Sequence, residues 1–133
     1  MNYFIDTNII IYALKNTYPR IKEHFQKIPS YNIAVPSIVK AEIEYGAKKS
    51  KDYNKTIELY NKFLSIYDIV PFTEKETQVY GDIRAQLEKD GNVIGANDML
   101  IAAIAMSHNG ILVTHNTSEF SRIKGLKIED WVE

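Results

Sequence analysis

The chain has 133 residues, 45% of them hydrophobic and 25% charged, with a formal net charge of −1 and no cysteine. That length predicts one domain over 1–133 with a buried core, and the composition excludes a disordered chain, a disulfide framework and thiolate metal sites. The longest apolar run, Met99 to Met106, is too short to span a bilayer, and no basic, apolar leader opens the chain, so the expectation is a cytoplasmic protein without a membrane.

Tyr3 to Ile5 reads as a short buried strand and Ile9 to Leu14 as an apolar helix, with Asp6 at their junction. Open parallel sheets bind ligands outside the carboxyl ends of their strands, where Asp6 would stand. It is equally suited to a bare helix N-cap, and Thr7 and Asn8 also offer capping groups. A second helix starts at Tyr18-Pro19-Arg20, with Pro19 near its first position, and repeats Ile21, His24, Phe25 and Ile28 on one face. Ile33 to Val35 is a strand closed by Pro36. Ser37 opens a helix to about Ser50, and Tyr53 to Ile66 is a long amphipathic stretch. Ile69, Val70 and Phe72 form a third strand that Pro71 assigns to a sheet edge. Thr73-Glu74-Lys75-Glu76 matches a capping box, its helix running to about Lys89 and the turn Asp90-Gly91-Asn92. Ala96 to His108 is apolar nearly all round, which predicts a helix buried on most sides, stopped by Asn109-Gly110. Ile111 to Val113 is a strand, Asn116 to Phe120 a short turn or helix, and Leu126 to Ile128 a last strand. Strands alternating with helices predict an α/β fold, a parallel sheet with helices on both faces.

Three acids fall where this pattern asks for apolar groups. Glu42 shares its helix stripe with Ile38, Val39, Tyr45 and Gly46, whereas Glu44 aligns with Lys40 and Lys48 on an ordinary exposed face. Asp98 opens the most apolar helix. A first-turn carboxylate gains roughly 0.3–1 kcal/mol from the helix dipole, too little to offset desolvating an unpaired charge. Each acid also has a structural reading: Asp6 as a cap, Glu42 as a rim or ion-pair residue, Asp98 as a dipole partner. The segment Val113-Thr114-His115-Asn116-Thr117-Ser118-Glu119-Phe120 leaves another buried strand, with Asn116 and Glu119 spaced like a capping box or like two further ligands. His115 lacks a second histidine at ligand spacing and reads, with His24 and His108, as a loop or surface residue.

Carboxylates meeting in one crevice repel by roughly 4 kcal/mol per pair at about 4 Å, which protonation or a hard cation relieves. Oxygen donors alone favour magnesium or manganese over zinc, and such a cation suits hydrolysis of a phosphodiester. Withdrawing Asp6, Glu42 and Asp98 into that site turns the balance of the remaining charge positive. Lys48, Lys49 and Lys51 then become candidates for tracking an RNA backbone, against the plainer reading of a solvated helix face.

The ordered set Asp6-Thr7-Asn8, Ser37 to Glu42 and Gly46, Asn97-Asp98 to Ala103, and Val113-Thr114 with Asn116, Glu119 and Phe120 resembles the PIN-domain ribonucleases. The ending Gly125-Leu126 with Glu129-Asp130-Trp131 fits too, and within that superfamily the chain is similar to VapC-type toxins of toxin–antitoxin pairs. The resemblance implies a three-layer fold around a five-stranded parallel sheet and a Mg2+- or Mn2+-dependent endoribonuclease site on Asp6, Glu42 and Asp98. Asn116 or Glu119 would complete the metal site, with Thr114 and Thr7 supporting. It further implies structured RNA as substrate, transfer RNA in several relatives, a homodimer, and a cognate antitoxin of VapB type that blocks the site. The tyrosines Tyr45, Tyr53, Tyr60 and Tyr67 point to the helices around Tyr53 to Ile66 as the surface that meets that partner, against the plainer reading of ordinary core packing. Two rivals are a receiver-like phosphoacceptor module, which needs an acidic pair after the first strand that Thr7-Asn8 does not supply, and a non-catalytic PIN-like RNA- or protein-binding domain.

Overall fold

The computed structural model describes residues 2–133; Met1 lies outside the described residues. Short, β-branched and aromatic runs give five strands: β1 Tyr3–Ile5, β2 Ile33–Pro36, β3 Asp68–Val70, β4 Ile111–Val113 and β5 Lys127–Glu129. They form one parallel sheet in the order β3-β2-β1-β4-β5. The longer periodic stretches form helices α1 Thr7–Lys15, α2 Pro19–Lys27, α3 Ser37–Lys48, α4 Tyr53–Leu64, α5 Glu74–Lys89, α6 Ala96–Ser107 and α7 Thr117–Phe120. Because parallel strands need crossovers, these helices flank the sheet on both faces in a three-layer α/β architecture.

The core forms where β1, β2 and β4 pack against α1, α3 and α6. Phe4, Ile5, Val35, Leu112 and Val113 meet Ile9, Ile10, Val39, Ile43, Ile101 and Ile104, all buried. Helix α6 is buried along most of its circumference, as its composition predicts. Trp131 closes the far side, fully buried, with the His24 ring stacked on it at 4.9 Å and Phe25 edge-on at 5.1 Å. His24 is therefore a packing group rather than a surface histidine.

Local chemistry sets the boundaries. Pro19 opens α2, and α5 carries the capping box: the Thr73 hydroxyl accepts from the Lys75 N–H, and Glu76 accepts from the Thr73 N–H at 3.2 Å. That pairing satisfies the Glu76 carboxylate although the residue is buried. The stop after α6 differs in detail from expectation. Asn109, at φ 53°, takes the left-handed turn, and Gly110 is needed for space: a Cβ there would lie 2.4 Å from the Phe4 ring. Strand β3 ends at Val70, so Phe72 falls outside it, and β3 is indeed an edge. No described helix is long and apolar enough to cross a membrane.

Candidate active site

The strand order runs outward from β1 in both directions, so the chain reverses its winding between β1 and β4. At such a switch point the connections leave to opposite faces and open a crevice beyond the carboxyl ends. Asp6 follows β1 and Thr114 follows β4, which places both at that point. Their main chains continue the sheet, Asp6 N–H donating to Val113 O at 2.9 Å and Thr114 N–H to Glu129 O at 3.0 Å. The Thr114 hydroxyl donates to Asp6 Oδ2 at 2.8 Å, and the Thr7 N–H donates to Asp6 Oδ1 at 2.8 Å. Asp6 is thus the N-cap of α1 and a member of the acidic site at once, and Thr7 and Asn8 are not the cap. It is 7% exposed. Burial pushes its pKa up, the two hydrogen bonds draw it back, and Glu42 adds a smaller upward push, leaving it raised.

Glu42 enters from α3 and takes a hydrogen bond from the Thr7 hydroxyl at 2.6 Å. Its stripe is not dry, contrary to the sequence expectation. Val39 is buried, but Tyr45 and Gly46 are exposed, and Glu42 itself is half-buried on the wall of a crevice of about 720 Å³. Thr7, Ser37, Ile38, Ala41, Tyr45, Asn97 and Leu100 line the same crevice. Glu44 points the other way, paired with Lys40 at 2.7 Å and accepting from the Tyr53 hydroxyl at 2.6 Å. Asp98 stands in the first turn of α6, half-buried. Its carboxyl is pushed up to about 6, first by desolvation and then by the charges of Asp6, Glu42 and Glu119. Four acids from four elements therefore share one electrostatic field. Among the described residues, however, no three of them close into a ready ligand cage. Hydroxyls hold Asp6 and Glu42, and a side-chain amide holds Glu119.

That amide belongs to Asn116. Its Nδ2 donates to Glu119 Oε2 at 3.1 Å, and its N–H donates to Thr114 Oγ1 at 3.0 Å. Asn116 does not cap α7 through its side chain, so the capping-box reading fails. Asn116 instead links the fourth acid, through its side-chain amide, to the hydroxyl that holds Asp6, through its main-chain N–H. His115, between them, is exposed and pairs Nδ1 with Asp130 Oδ2 at 2.9 Å, a loop residue as expected.

A family model described as "PIN domain" matches residues 3–126. The chain belongs to the PIN-domain family. Among proteins of this family it is 41% identical over 132 residues to "Ribonuclease VapC2" of Rickettsia felis, covering 98% of each chain. It is 34% identical over 131 residues to "tRNA(fMet)-specific endonuclease VapC" of Shigella flexneri, again covering 98% of each. Among solved structures it superposes at TM-score 0.92 and 40% identity on VapBC2 from Rickettsia felis bound to a DNA fragment from its promoter, covering 98% of this chain and 99% of that one.

Within this PIN domain the lysine and tyrosine expectations divide. Lys48, Lys49 and Lys51 are exposed; Lys48 lies 3.7 Å over the Tyr53 ring and Lys49 5.2 Å from the Tyr45 ring centre. Tyr53, Tyr60 and Tyr67 pack against the core, so ordinary packing accounts for them, and Tyr45 alone of the four stays exposed. Sequence reasoning missed the crevice wall, namely Ile38, Ala41 and Leu100. A helical wheel carries no sign of which apolar side chains face an opening. It also missed that Thr7 serves Glu42, a contact across 35 residues with no local signature.

Proposed function

We propose that the chain, as a single PIN domain over 1–133, is the toxin of a toxin–antitoxin pair and a divalent-metal-dependent endoribonuclease. The observation that carries this reading is the group of acids at the switch point: Asp6 and Asp98, each pushed up first by burial and then by neighbouring acid charge, with Glu42 beside them on the wall of an open crevice. Carboxylates that only stabilise the fold find a cation or a cap, as Glu44 does in Lys40 and Glu76 in its capping box, whereas Asp98 has neither among the described residues. The donors are carboxylate oxygens, which fit Mg2+ or Mn2+, and the charge that raises Asp98 is the charge such a cation would neutralise. Asp6 and Asp98 would be the main ligands, with Glu42 and, less centrally, Glu119 and Asn116 beside them. When bound, the cation supplies a water acidic enough to attack a phosphodiester and positive charge for the phosphate oxygens.

The chain's own residues do the positioning. Thr114 and the Thr7 N–H turn both Asp6 oxygens toward fixed partners, Thr7 sets the Glu42 rotamer, and Asn116 aims Glu119. Such supporting contacts are commonly worth 10–100-fold in metal affinity or activity. The relatives named ribonuclease and tRNA(fMet)-specific endonuclease support RNA, with transfer RNA as one substrate. The VapBC structures support a VapB-type antitoxin as partner.

The test is cleavage of cellular RNA by purified protein with Mg2+ or Mn2+ and with a chelator. Asp6→Asn and Asp98→Asn should fold and fail to cut. Cutting at the unmutated rate by both variants, or in chelator, refutes the assignment.

A further inference from the structure

Helix α3 and its C-cap present Glu42, Tyr45 and Lys49 at positions i, i+3 and i+7, one stripe along their length. Tyr45 follows Glu42 by about 4.5 Å of helix rise, and Lys49 by about 10 Å. Tyr45 is 66% exposed, yet it lines the same crevice as Glu42 and Thr7. Beside it the wall is apolar, from Ile38, Ala41 and Leu100, with polar Ser37 and Asn97 at its margins. Single exposed aromatics are common and need no cause. Tyr31, at 81%, is such a case: it precedes β2, at the amino end of the sheet, away from every acid of the site. Tyr45 differs because it stands one turn from a site carboxylate, with an ammonium group beside its ring.

An acid, an aromatic ring and a cation in that order match the parts of one nucleotide step. The reacting phosphate belongs at the acids, a base on the ring and the next phosphate near the lysine. We propose that Tyr45, backed by Lys49, is a stacking subsite for an unpaired base flanking the phosphate that is cut. The proposal rests on the ribonuclease reading and adds to it a residue that selects unstacked RNA. A base held in a duplex already has both faces covered by its neighbours, whereas an unpaired base has a face free for tyrosine. Charge complementarity favours this occupant over a protein segment, because Lys49 continues the line at the C-cap of α3.

The experiment uses a single-stranded oligoribonucleotide spanning a cleavage position mapped with the unmutated chain. Kinetics are compared for the unmutated chain, Tyr45→Ala and Tyr45→Phe, with melting temperature as the folding control. Tyr45→Ala should raise KM about ten-fold or more with kcat little changed, and Tyr45→Phe should keep the unmutated KM. Replacing the base beside the cut by an abasic nucleotide should reproduce the loss, after which Tyr45→Ala costs nothing further. An unchanged KM in Tyr45→Ala overturns the subsite while leaving the ribonuclease reading intact. So does an equal loss in Tyr45→Phe, which would assign the role to the hydroxyl. Unchanged kinetics together with weakened binding of a co-expressed antitoxin would place a protein on Tyr45 and likewise overturn it. If the unmutated chain cuts no RNA, the ribonuclease reading falls first and the subsite with it.

Discussion

The two ends of the sheet solve opposite problems. At the amino end the chain closes: Gly110 lies against the Phe4 ring, the Ile111 N–H donates to Asn2 O at 2.9 Å, and the His108 ring packs 5.4 Å from Phe4. At the carboxyl end four acids are gathered, three of them with hydroxyl or amide partners, and no lysine or arginine hydrogen-bonds to them among the described residues. One end is optimised for packing. The other holds charge at an energetic cost, which is expected of a site built to receive something.

Substitutions should therefore separate the two ends. The largest effect is expected from Asp6→Asn, which removes a proposed cation ligand, worth several kcal/mol at the transition state. RNA cleavage should fall roughly a thousand-fold while the melting temperature holds. Next is Thr114→Val, which leaves Asp6 without its buried hydroxyl partner. Cleavage should drop about 10–100-fold, with the manganese affinity weakened in parallel. At the other end, Gly110→Ala forces a methyl into Phe4 and should cost about 1–3 kcal/mol in denaturant unfolding. Its activity per folded molecule should be unchanged; a loss there would mean that the ends are not independent.

The smallest effect concerns pH. Asp98 holds its proton more tightly when folded, with a pKa of about 6 against 3.8 unperturbed. The stability linked to that proton is fully present below about pH 4 and is lost as pH rises through about 6. In chelator, Asp98→Asn should therefore be the more stable protein at pH 7.5, by about 1 kcal/mol after discounting for solvent screening of a half-exposed group. The advantage should vanish by pH 4. An advantage independent of pH would point to packing instead of charge.

Much of this contrast was legible in the residues alone. Asp6 and Asp98 stand out because each interrupts an apolar pattern, and the capping box at Thr73 fixes the start of α5 without tertiary help. What was not legible depends on contacts far apart in the chain. The bond from Thr114 to Asp6 crosses 108 residues and follows from strand order, which no local pattern encodes. Asn116 looked like a cap because its spacing to Glu119 suits one, and only the loop geometry turns its amide onto the acid. Glu42 was singled out for a partly wrong reason. Its neighbours Tyr45 and Gly46 are apolar or small in kind but exposed in fact, since they edge a crevice and not the core.

The account depends most on Asp6, Glu42 and Asp98 serving one divalent cation together. Calorimetric titration of Mn2+ into the chelator-stripped chain and into Asp6→Asn, Glu42→Gln and Asp98→Asn tests that directly. The expected result is saturable binding by the unmutated chain, weakened about ten-fold or more by each substitution. Undiminished binding in all three variants, or no binding to the unmutated chain, would contradict it.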